Sequence, residues 1–348
     1  MSRKLKIFFT AEYDPQELRP LYKIADIVLD GWACGLPKLS EEELIRKTAD
    51  MDMIVTSYDD ITRPVIENAA HLKLIACTRA TPVNIDIQAA NDRGIPVLFT
   101  PGRNSDSTAE MAIGLMLSVA RHIPQAYCAL KSGRFTAPEP VKNDAKQGLR
   151  QDVIWDMTVD APYSVFKGTQ LKGKTLGIVG YGSIGRRVGS IALAIGMELL
   201  VFDPYCGEVD IERIGIKKAP TLEYLMRESD FISLHMKVTP ETKGIISREL
   251  IALMKPTAYL VNASRGAVLD EDALIDALRG RKIAGAALDV YTHEPIARNH
   301  PFITELDNIV ITPHIAGATR EVLTNHTKQI VSDIRRFLAG EPVLYRYR

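Results

Sequence analysis

The first hundred residues alternate short apolar runs with longer amphipathic segments. The apolar runs predict strands at Leu5–Phe9, Ile27–Leu29, Met53–Thr56, Leu74–Cys77 and Pro96–Phe99. The amphipathic segments predict helices at Pro15–Ile24, Glu41–Ala49, Arg63–Ala70 and Asp86–Arg93. Strands that alternate with helices at this spacing indicate parallel strands joined by crossover helices, which form an open α/β sheet.

A second and cleaner pattern of the same kind begins at Lys174. It predicts strands at Thr175–Val179, Leu199–Phe202, Phe231–Leu234, Ala258–Val261, Gly285–Leu288 and Ile309–Ile311. Apolar residues at a spacing of three to four predict a helix at Asp106–His122, capped by Asn104 or Ser105. A last helix is predicted at about Thr319–Leu338. The chain is therefore predicted to contain two α/β sheets.

Residues 133–168 fit neither pattern, because they combine three prolines with mixed charge and weak periodicity. The stretch is longer than an ordinary connection, which indicates a functional or subunit-contact excursion, and a plain surface loop is an equally weighted alternative. Its apolar island, Val153–Met157 with Trp155 at the centre, predicts a contact with a partner subunit near that subunit's substrate site.

Composition narrows the class of protein. The 348 residues suggest about two domains. The 43 basic and 43 acidic residues cancel, which argues against a nucleic-acid binder. No apolar stretch is long enough to cross a membrane, and the first apolar run ends too early for a secretory signal. The four cysteines are widely spaced, so we expect reduced thiols in a cytoplasmic protein and no metal site.

A glycine-rich loop between a predicted strand and a helix carries the first chemical signal. Its glycines are Gly180, Gly182 and Gly185, in the spacing GxGxxG. They suit a tight turn, close approach of a pyrophosphate, and close packing of helix on strand. We expect the phosphates to bind the free N–H groups of Ser183 and Ile184 at the helix N-terminus.

An acidic residue, Asp203, ends the next predicted strand 18 residues after Gly185. A carboxylate at this point accepts hydrogen bonds from the adenosine ribose and repels a 2′-phosphate, which favours NAD over NADP. The alternative is a turn-forming residue before Pro204, and the two roles are compatible.

Three later loops each follow a predicted strand and present ionisable side chains: Arg265, then Asp289 with Glu294, then His314. Ligands of open α/β sheets bind outside the carboxyl ends of the strands, so these loops can share one site. Arginine binds a carboxylate in bidentate geometry, histidine exchanges a proton near neutral pH, and an acid beside the histidine raises its pKa. Singly, each has an ordinary alternative: an ion pair for Arg265, a solvated acid for Glu294, a core histidine for His314.

The sequence resembles the D-isomer-specific 2-hydroxyacid dehydrogenases from about Lys4 to Val343. The motifs are Leu171–Gly185, Thr239–Thr242, Met254–Pro256, Asn262–Gly266, Gly285–Val290 and Thr312–Gly317. The resemblance implies that Arg265 binds substrate, that His314 is the acid/base, and that Glu294 is its partner. His293 is not the catalytic histidine. Asp289 would orient the nicotinamide carboxamide, helped by the Ala263 carbonyl.

The resemblance also implies wider sets of binding residues. The further cofactor contacts are Thr108, His235, Lys237, Ser264, Arg265, His314 and Gly317. The substrate contacts are Arg79, Ala80, Thr81 and Asn104, with Arg265 and His314.

The implied architecture is a Rossmann NAD-binding domain inserted into a flavodoxin-like substrate domain. The substrate domain would comprise residues 1–103 and 321–348, and the NAD-binding domain residues 104–320. The resemblance further implies an active site in the cleft between the domains and a homodimer built through the nucleotide domain.

Three departures from the family pattern concern the ligands. Arg79-Ala80-Thr81 stands where the family has a Gly-Val-Gly loop facing the substrate, and Lys237 replaces a proline. The third is the length of residues 133–168. Arg79 has two interpretations: its side chain points to solvent, or it pairs with a second anionic or hydroxyl-rich group and selects longer acids.

The sequence therefore predicts an NAD-dependent oxidoreductase that interconverts a small 2-keto acid and a D-2-hydroxy acid. One alternative is an NAD(H)-binding regulatory protein resembling the C-terminal-binding-protein corepressors. The other is a formate dehydrogenase-like enzyme, against which Glu294 speaks, because that branch has a glutamine there.

Overall fold

The computed structural model describes residues 3–136, 159–207 and 216–347. The chain forms two compact units, unit 1 with Met1–Asn104 and Ala318–Arg348, and unit 2 with Ser105–Gly317. These limits lie one and three residues from the domain boundaries expected from the sequence. Trp155 and most of the predicted excursion lie outside the described residues.

The described strands are short and apolar. They are β1 Leu5–Phe9, β2 Ala25–Leu29, β3 Met53–Thr56, β4 Leu74–Cys77, β5 Val97–Leu98, β6 Thr175–Val179, β7 Glu198–Phe202, β8 Lys217–Lys218, β9 Phe231–Leu234, β10 Tyr259–Asn262, β11 Gly285–Leu288, β12 Ile309–Ile311 and β13 Arg346–Tyr347.

The described helices lie mostly between successive strands. They are α1 Pro15–Tyr22, α2 Glu41–Thr48, α3 Arg63–Asn68, α4 Ile87–Asp92, α5 Ser105–Ala120, α6 Ile123–Lys131, α7 Pro162–Val165, α8 Ser183–Ile195, α9 Leu222–Glu228, α10 Arg248–Ile251, α11 Glu271–Arg279, α12 Pro301–Thr304 and α13 Glu321–Leu338. Short 3₁₀ turns occur at Gly31–Cys34 and Gly266–Val268.

The sheet of unit 1 has the order β13-β5-β4-β3-β1-β2. Strands β1 to β5 are parallel, and β13 adds to β5 as an antiparallel edge strand. Without β13, the order is the 2-1-3-4-5 arrangement of flavodoxin-like sheets. The predicted fold class of this part of the chain is confirmed.

The sheet of unit 2 is parallel, with the order β12-β11-β10-β9-β6-β7-β8. Counted from β6, the first six strands follow the 3-2-1-4-5-6 order of the Rossmann fold. The predicted fold class is confirmed here too. Strands β10, β11 and β12 are neighbours, so the loops after them leave the same edge of the sheet.

Each sheet is covered on both faces by separate apolar cores. In unit 1, one core packs under α2, α3 and α4, and the other under α1 and α13. In unit 2, one lies against α5 and α8, and the other against α9 and α11. Burial on both faces explains why the strands read as continuous apolar runs, such as Leu-Ile-Ala-Cys in β4.

Differences from the sequence prediction occur where local sequence signals are weak. The helix expected at Asp106–His122 ends at Ala120, because His122 takes a left-handed conformation (φ 54°) before α6 begins. Strands β8 and β13 were not predicted, since neither Lys217–Lys218 nor Arg346–Tyr347 belongs to an apolar run, unlike the equally short β5. No helix within the described ranges combines the length and apolar character needed for a membrane crossing.

Candidate active site

The GxGxxG loop joins β6 to the N-terminus of α8. Gly180 has φ 91°, a conformation that favours glycine, and a Cβ on Gly185 would lie 2.2 Å from the Gly180 carbonyl oxygen. A Cβ on Gly182 would meet no atom within 4 Å, so open space lies beside the backbone at this position. The N-cap residue of α8 is Gly182, which has no side chain with which to cap the helix. The loop and the free N–H groups of Ser183 and Ile184 therefore suit a pyrophosphate.

Asp203 lies half-buried just after β7 and binds backbone on both sides. One carboxylate oxygen accepts a 2.7 Å hydrogen bond from the Tyr181 N–H, in the glycine-rich loop. The other accepts a 2.8 Å bond from the Tyr205 N–H, which is the turn-forming role considered for this residue. Each oxygen keeps a further lone pair, so a ribose hydroxyl remains a possible partner. The ribose role stays a prediction.

The Arg265 loop follows β10 and is held by the buried side chain of Asn262. The Asn262 amide donates to the Arg265 carbonyl (3.0 Å), and its oxygen accepts from both the N–H and the hydroxyl of Ser264. A Cβ on Gly266 would lie 2.0 Å from the Tyr291 carbonyl atoms, so only glycine permits this approach to the loop after β11. The exposed guanidinium donates to the Ser264 carbonyl (2.6 Å).

Glu294 and His314 are paired side chain to side chain. One carboxylate oxygen of Glu294 lies 2.6 Å from His314 Nδ1, and the other accepts from the Tyr291 N–H at 3.1 Å. Both side chains are partly exposed, with 35% and 45% of their surface accessible, so solutes reach them. The pairing assigns the Nδ1 proton to the shared bond and leaves His314 Nε2 to exchange a proton.

Asp289, fully buried after β11, binds the loop that carries His314. Its carboxylate accepts hydrogen bonds from the Thr312 hydroxyl (2.5 Å) and from the N–H groups of Ile315 (2.8 Å) and Ala316 (2.7 Å). His314 itself has φ 56°, a conformation that non-glycine residues rarely adopt. Bonds on both sides of His314 hold this strained backbone in place. The contacts seen make Asp289 a positioning residue, and its predicted role toward nicotinamide stays a prediction.

The other predicted cofactor residues of unit 2 lie in the loops after β9, β10 and β12, except Thr108, which lies in α5. Burial lowers the pKa of His235 to about 4, so its ring is neutral near pH 7. Its Nε2 lies 2.8 Å from the Ser233 hydroxyl, and Nδ1 has no partner among the described residues. Thr108 is buried in α5, Ala263 and Ser264 are buried, Gly317 is half-buried, and Lys237 is exposed.

The predicted substrate residues of unit 1 follow the parallel strands of that unit. Arg79 is half-buried, with its guanidinium 5.0 Å from the centre of the Tyr58 ring, and both interpretations of its side chain stay predictions. Ala80 and Thr81 are exposed, and Asn104 is half-buried at the last position of the first segment.

Several residues that support the site were not predicted individually. Asn262 fixes the Arg265 loop, and the Tyr291 hydroxyl donates to the Thr312 carbonyl at 2.8 Å, joining the loops after β11 and β12. The Ser105 hydroxyl donates to that of Ser183 at 3.0 Å. Asn262 lies inside a recognised motif. Tyr291 and Ser105 act through contacts distant in sequence, which no local pattern reveals.

Comparisons with known proteins show what the chain is similar to. Residues 113–316 match the family model described as D-isomer specific 2-hydroxyacid dehydrogenase, NAD binding domain. The chain is 37% identical to a glyoxylate reductase of Thermococcus litoralis, over 97% of this chain and 95% of the relative. A crystal structure of the TT0316 protein from Thermus thermophilus superposes with a TM-score of 0.79, at 30% identity, covering 99% of this chain and 100% of that one.

A third relative is longer than this chain. The D-3-phosphoglycerate dehydrogenase of Methanocaldococcus jannaschii is 38% identical over 97% of this chain but only 58% of its own length. The chain spans about half the length of the curated relatives of this kind that it matches, between 50% and 58%.

Proposed function

Because the chain belongs to the D-isomer-specific 2-hydroxyacid dehydrogenase family, we propose that it is an NAD-dependent oxidoreductase interconverting a 2-keto acid and a D-2-hydroxy acid. The observation that carries the proposal is the 2.6 Å Glu294–His314 pair. It lies at the carboxyl edge of the sheet that also carries the Arg265 loop and the glycine-rich loop. A proton-exchanging group, a carboxylate-binding group and a nucleotide-binding loop suit this reaction.

Three side chains have separate roles toward the substrate. His314 donates a proton to the carbonyl oxygen in reduction and removes it from the hydroxyl in oxidation. Glu294 accepts the Nδ1–H of His314 and fixes the orientation of the ring. Arg265 binds the carboxylate in bidentate geometry and polarises the adjacent carbonyl. The GxGxxG loop and the start of α8 would hold the pyrophosphate of the bound dinucleotide and Asp203 its adenosine ribose, and its nicotinamide would supply or accept the hydride.

The two alternatives have less support. A formate dehydrogenase-like activity does not suit Glu294, because the resemblance gives that branch a glutamine beside the histidine. A purely regulatory role has less support because the similar proteins are named as enzymes. They include a glyoxylate reductase, a hydroxypyruvate reductase and phosphoglycerate dehydrogenases.

The direct test is NADH oxidation with a panel of 2-keto acids. Glyoxylate, pyruvate, hydroxypyruvate and 3-phosphohydroxypyruvate vary in length and charge while keeping the reacting group. Turnover of at least one acid supports the proposal, with the D-isomer formed wherever the product is chiral, as it is for every acid of the panel but glyoxylate. NADH binding without turnover of any acid would instead support the regulatory alternative.

Cofactor preference provides the first quantitative prediction. We expect kcat/KM with NADH to exceed that with NADPH on the order of 100-fold, because a 2′-phosphate would meet the Asp203 carboxylate. Asp203→Asn should reduce this ratio, since it removes the charge but keeps a side-chain acceptor for the turn. An unchanged ratio in the variant would show that the carboxylate does not face the ribose. Glu198→Gln, an exposed acid on the same strand, is the control.

We also propose a homodimer built through unit 2. Helix α6 buries none of its residues, and Ile123, Tyr127 and Leu130 expose 52–63% of their surface at a spacing that places them on one face. A second copy covering this face would remove it from water.

We place the protein in the cytoplasm, because all four cysteines are free thiols.

The dimer is tested by charging this face. Tyr127→Glu with Leu130→Glu is expected to convert a dimer into a monomer in sedimentation velocity, because burying two carboxylates in an apolar interface costs several kcal/mol. Tyr224→Glu, on the exposed side of α9, should leave the mass unchanged. A wild-type monomer at micromolar concentration would contradict the proposal.

A further inference from the structure

A second histidine–glutamate pair lies beside the Glu294–His314 pair in unit 2. Glu271 Oε1 lies 3.3 Å from His300 Nε2, and the two side chains expose only 17% and 19% of their surface. Glu271 is the first residue of α11, and His300 directly precedes α12. The proposed reaction uses neither of these two largely buried groups.

The two pairs bind consecutive backbone N–H groups of one loop. The Tyr291 N–H donates to Glu294 at 3.1 Å, and the Thr292 N–H donates to Glu271 at 3.0 Å. Each glutamate thus uses one oxygen for the backbone and the other for its histidine. Gly266 contacts the same peptide bond, because a Cβ there would lie 2.5 Å from the Thr292 nitrogen. The start of α11 is therefore bound to the loop next to the point where that loop carries Glu294.

The loop of residues 292–299 has little packing of its own. Its residues are exposed, except for Ile296, which is half-buried and packs against the core of unit 2. Helix α11, by contrast, buries five of its nine residues, and its N-cap Asp270 accepts a 2.9 Å hydrogen bond from the Ala273 N–H. Glu271 therefore connects an exposed loop to a helix that is fixed in the core, which is how a supporting residue holds a site in place.

The neighbours of Glu271 require a carboxylate at this position. His300 Nδ1 accepts a 3.2 Å hydrogen bond from the Phe302 N–H, so the ring proton lies on Nε2 and is directed to Glu271. The Thr292 N–H is the second donor. A carboxylate accepts on both oxygens, whereas an amide would place its NH2 group against one of the two donors.

We propose that Glu271 is a positioning residue which, together with His300, holds the loop after β11 so that Glu294 meets His314 in the orientation needed for catalysis. The inference rests on the proposed function, in which His314 exchanges the substrate proton. Glu294 and His314 are partly exposed side chains that rely on their loops for their positions. A displacement of about 1 Å at such a site lowers turnover by on the order of 100-fold.

Removal of the Glu271 carboxylate should lower turnover without affecting cofactor binding. Glu271→Ala leaves the Thr292 N–H and His300 without their acceptor, and we expect kcat to fall about 10–100-fold. The dissociation constant of NADH should change less than about threefold, because the glycine-rich loop and Asp203 belong to other elements. Asp272→Ala changes the neighbouring exposed acid of α11, and both quantities should stay near their wild-type values.

A double-mutant cycle with His314 distinguishes positioning from general damage. Because Glu271 acts through His314, Glu271→Ala should lower the residual turnover of His314→Ala by less than about threefold. Losses that multiply in full would show that Glu271 acts independently of His314, and they would overturn the inference.

The need for a carboxylate provides an independent test by rescue. Glu271→Gln should lower kcat about tenfold, because its NH2 group opposes either His300 or the Thr292 N–H. His300→Asn removes the Nε2–H donor but keeps a side-chain acceptor for the start of α12. In the double variant the amide oxygen is free for Thr292, so kcat should recover to within about threefold of that of His300→Asn. A double variant as slow as Glu271→Gln, or a Glu271→Gln variant with wild-type kcat, would overturn the inference.

The nitrogen resonances of His314 separate failure of this inference from failure of the proposed function. In protein grown with isotope-labelled histidine, comparison with His314→Ala identifies these signals, and no substrate is needed. We expect Glu271→Ala to shift them and Asp272→Ala to leave them unchanged, because they depend on the Nδ1–H bond to Glu294.

The two proposals then have different outcomes. Unchanged His314 signals in Glu271→Ala would overturn the inference, even in an enzyme that reduces 2-keto acids. Shifted signals in a protein that turns over none of the acids would reject the proposed function and support Glu271 as the residue that positions the Glu294–His314 pair.

Discussion

Replacing His314 with alanine is expected to lower turnover by about 10²–10⁴-fold, the usual contribution of a positioned acid/base. The physical reason is the 2.6 Å contact with Glu294, which directs one ring nitrogen to the carboxylate and leaves the other for the substrate. The side chain is 45% exposed, so its removal leaves no buried cavity. The fold and NADH binding should both survive, as measured by circular dichroism and fluorescence titration.

Matched variants identify the role of the pair. Glu294→Gln keeps the shape of the side chain but removes its charge, so it should lower kcat less than His314→Ala. His293→Ala changes an adjacent histidine that is not assigned to catalysis, and near wild-type turnover is expected. If His293→Ala were the more damaging change, the assignment of His314 would be wrong.

Replacing Asp289 with alanine should damage both stability and catalysis. In the wild type, the Thr312 hydroxyl and two backbone N–H groups donate to the buried Asp289 carboxylate. The substitution leaves these three donors without their acceptor. Such bonds to a charged acceptor contribute about 1.5–3 kcal/mol each, and partial exposure of the donors reduces the sum, so we expect a loss of about 2–4 kcal/mol. The released loop would also displace His314, and kcat should fall by at least about 10²-fold.

Urea denaturation and steady-state kinetics test this together. Thr312→Val removes one of the three donors and should cost about 1 kcal/mol. Asp272→Ala, on the exposed face of α11, is the control and should change both quantities little. A variant Asp289→Ala with wild-type stability and a raised KM for NADH alone would instead assign Asp289 to the cofactor, as the resemblance implies.

Much of the fold follows from local sequence. Strands such as β1, β3, β4, β6, β9, β11 and β12 were predicted with their observed limits, because burial on both faces demands an unbroken apolar run. The glycine-rich loop was predicted for the same kind of reason: a tight turn at Gly180 and an uncapped helix start are local properties of the backbone. Strands β8 and β13 were missed because neither lies in an apolar run, so that only their pairing with a neighbouring strand defines them.

The residue types of the candidate site were likewise determined by sequence. A strand precedes each of the residues Arg265, Glu294 and His314. The loops that follow parallel strands leave the sheet at the same edge. The sequence could not predict the hydrogen bonds that connect those loops. The Asp289 bonds to Ile315 and Ala316 join residues 26 and 27 positions apart, and the Tyr291–Thr312 bond spans 21.

In unit 1, the difference between what the sequence determines and what the tertiary structure decides is larger. The sequence by itself determined that Arg79 replaces a glycine in a loop after a strand, which left its side chain either solvated or bound to an anion. Only the tertiary structure placed Arg79 on Tyr58 and brought His326 from the far end of the chain to Arg103, a separation of 223 residues. Periodicity and turn chemistry report on a few neighbouring residues, whereas the charge balance of a site depends on every residue that the fold assembles there.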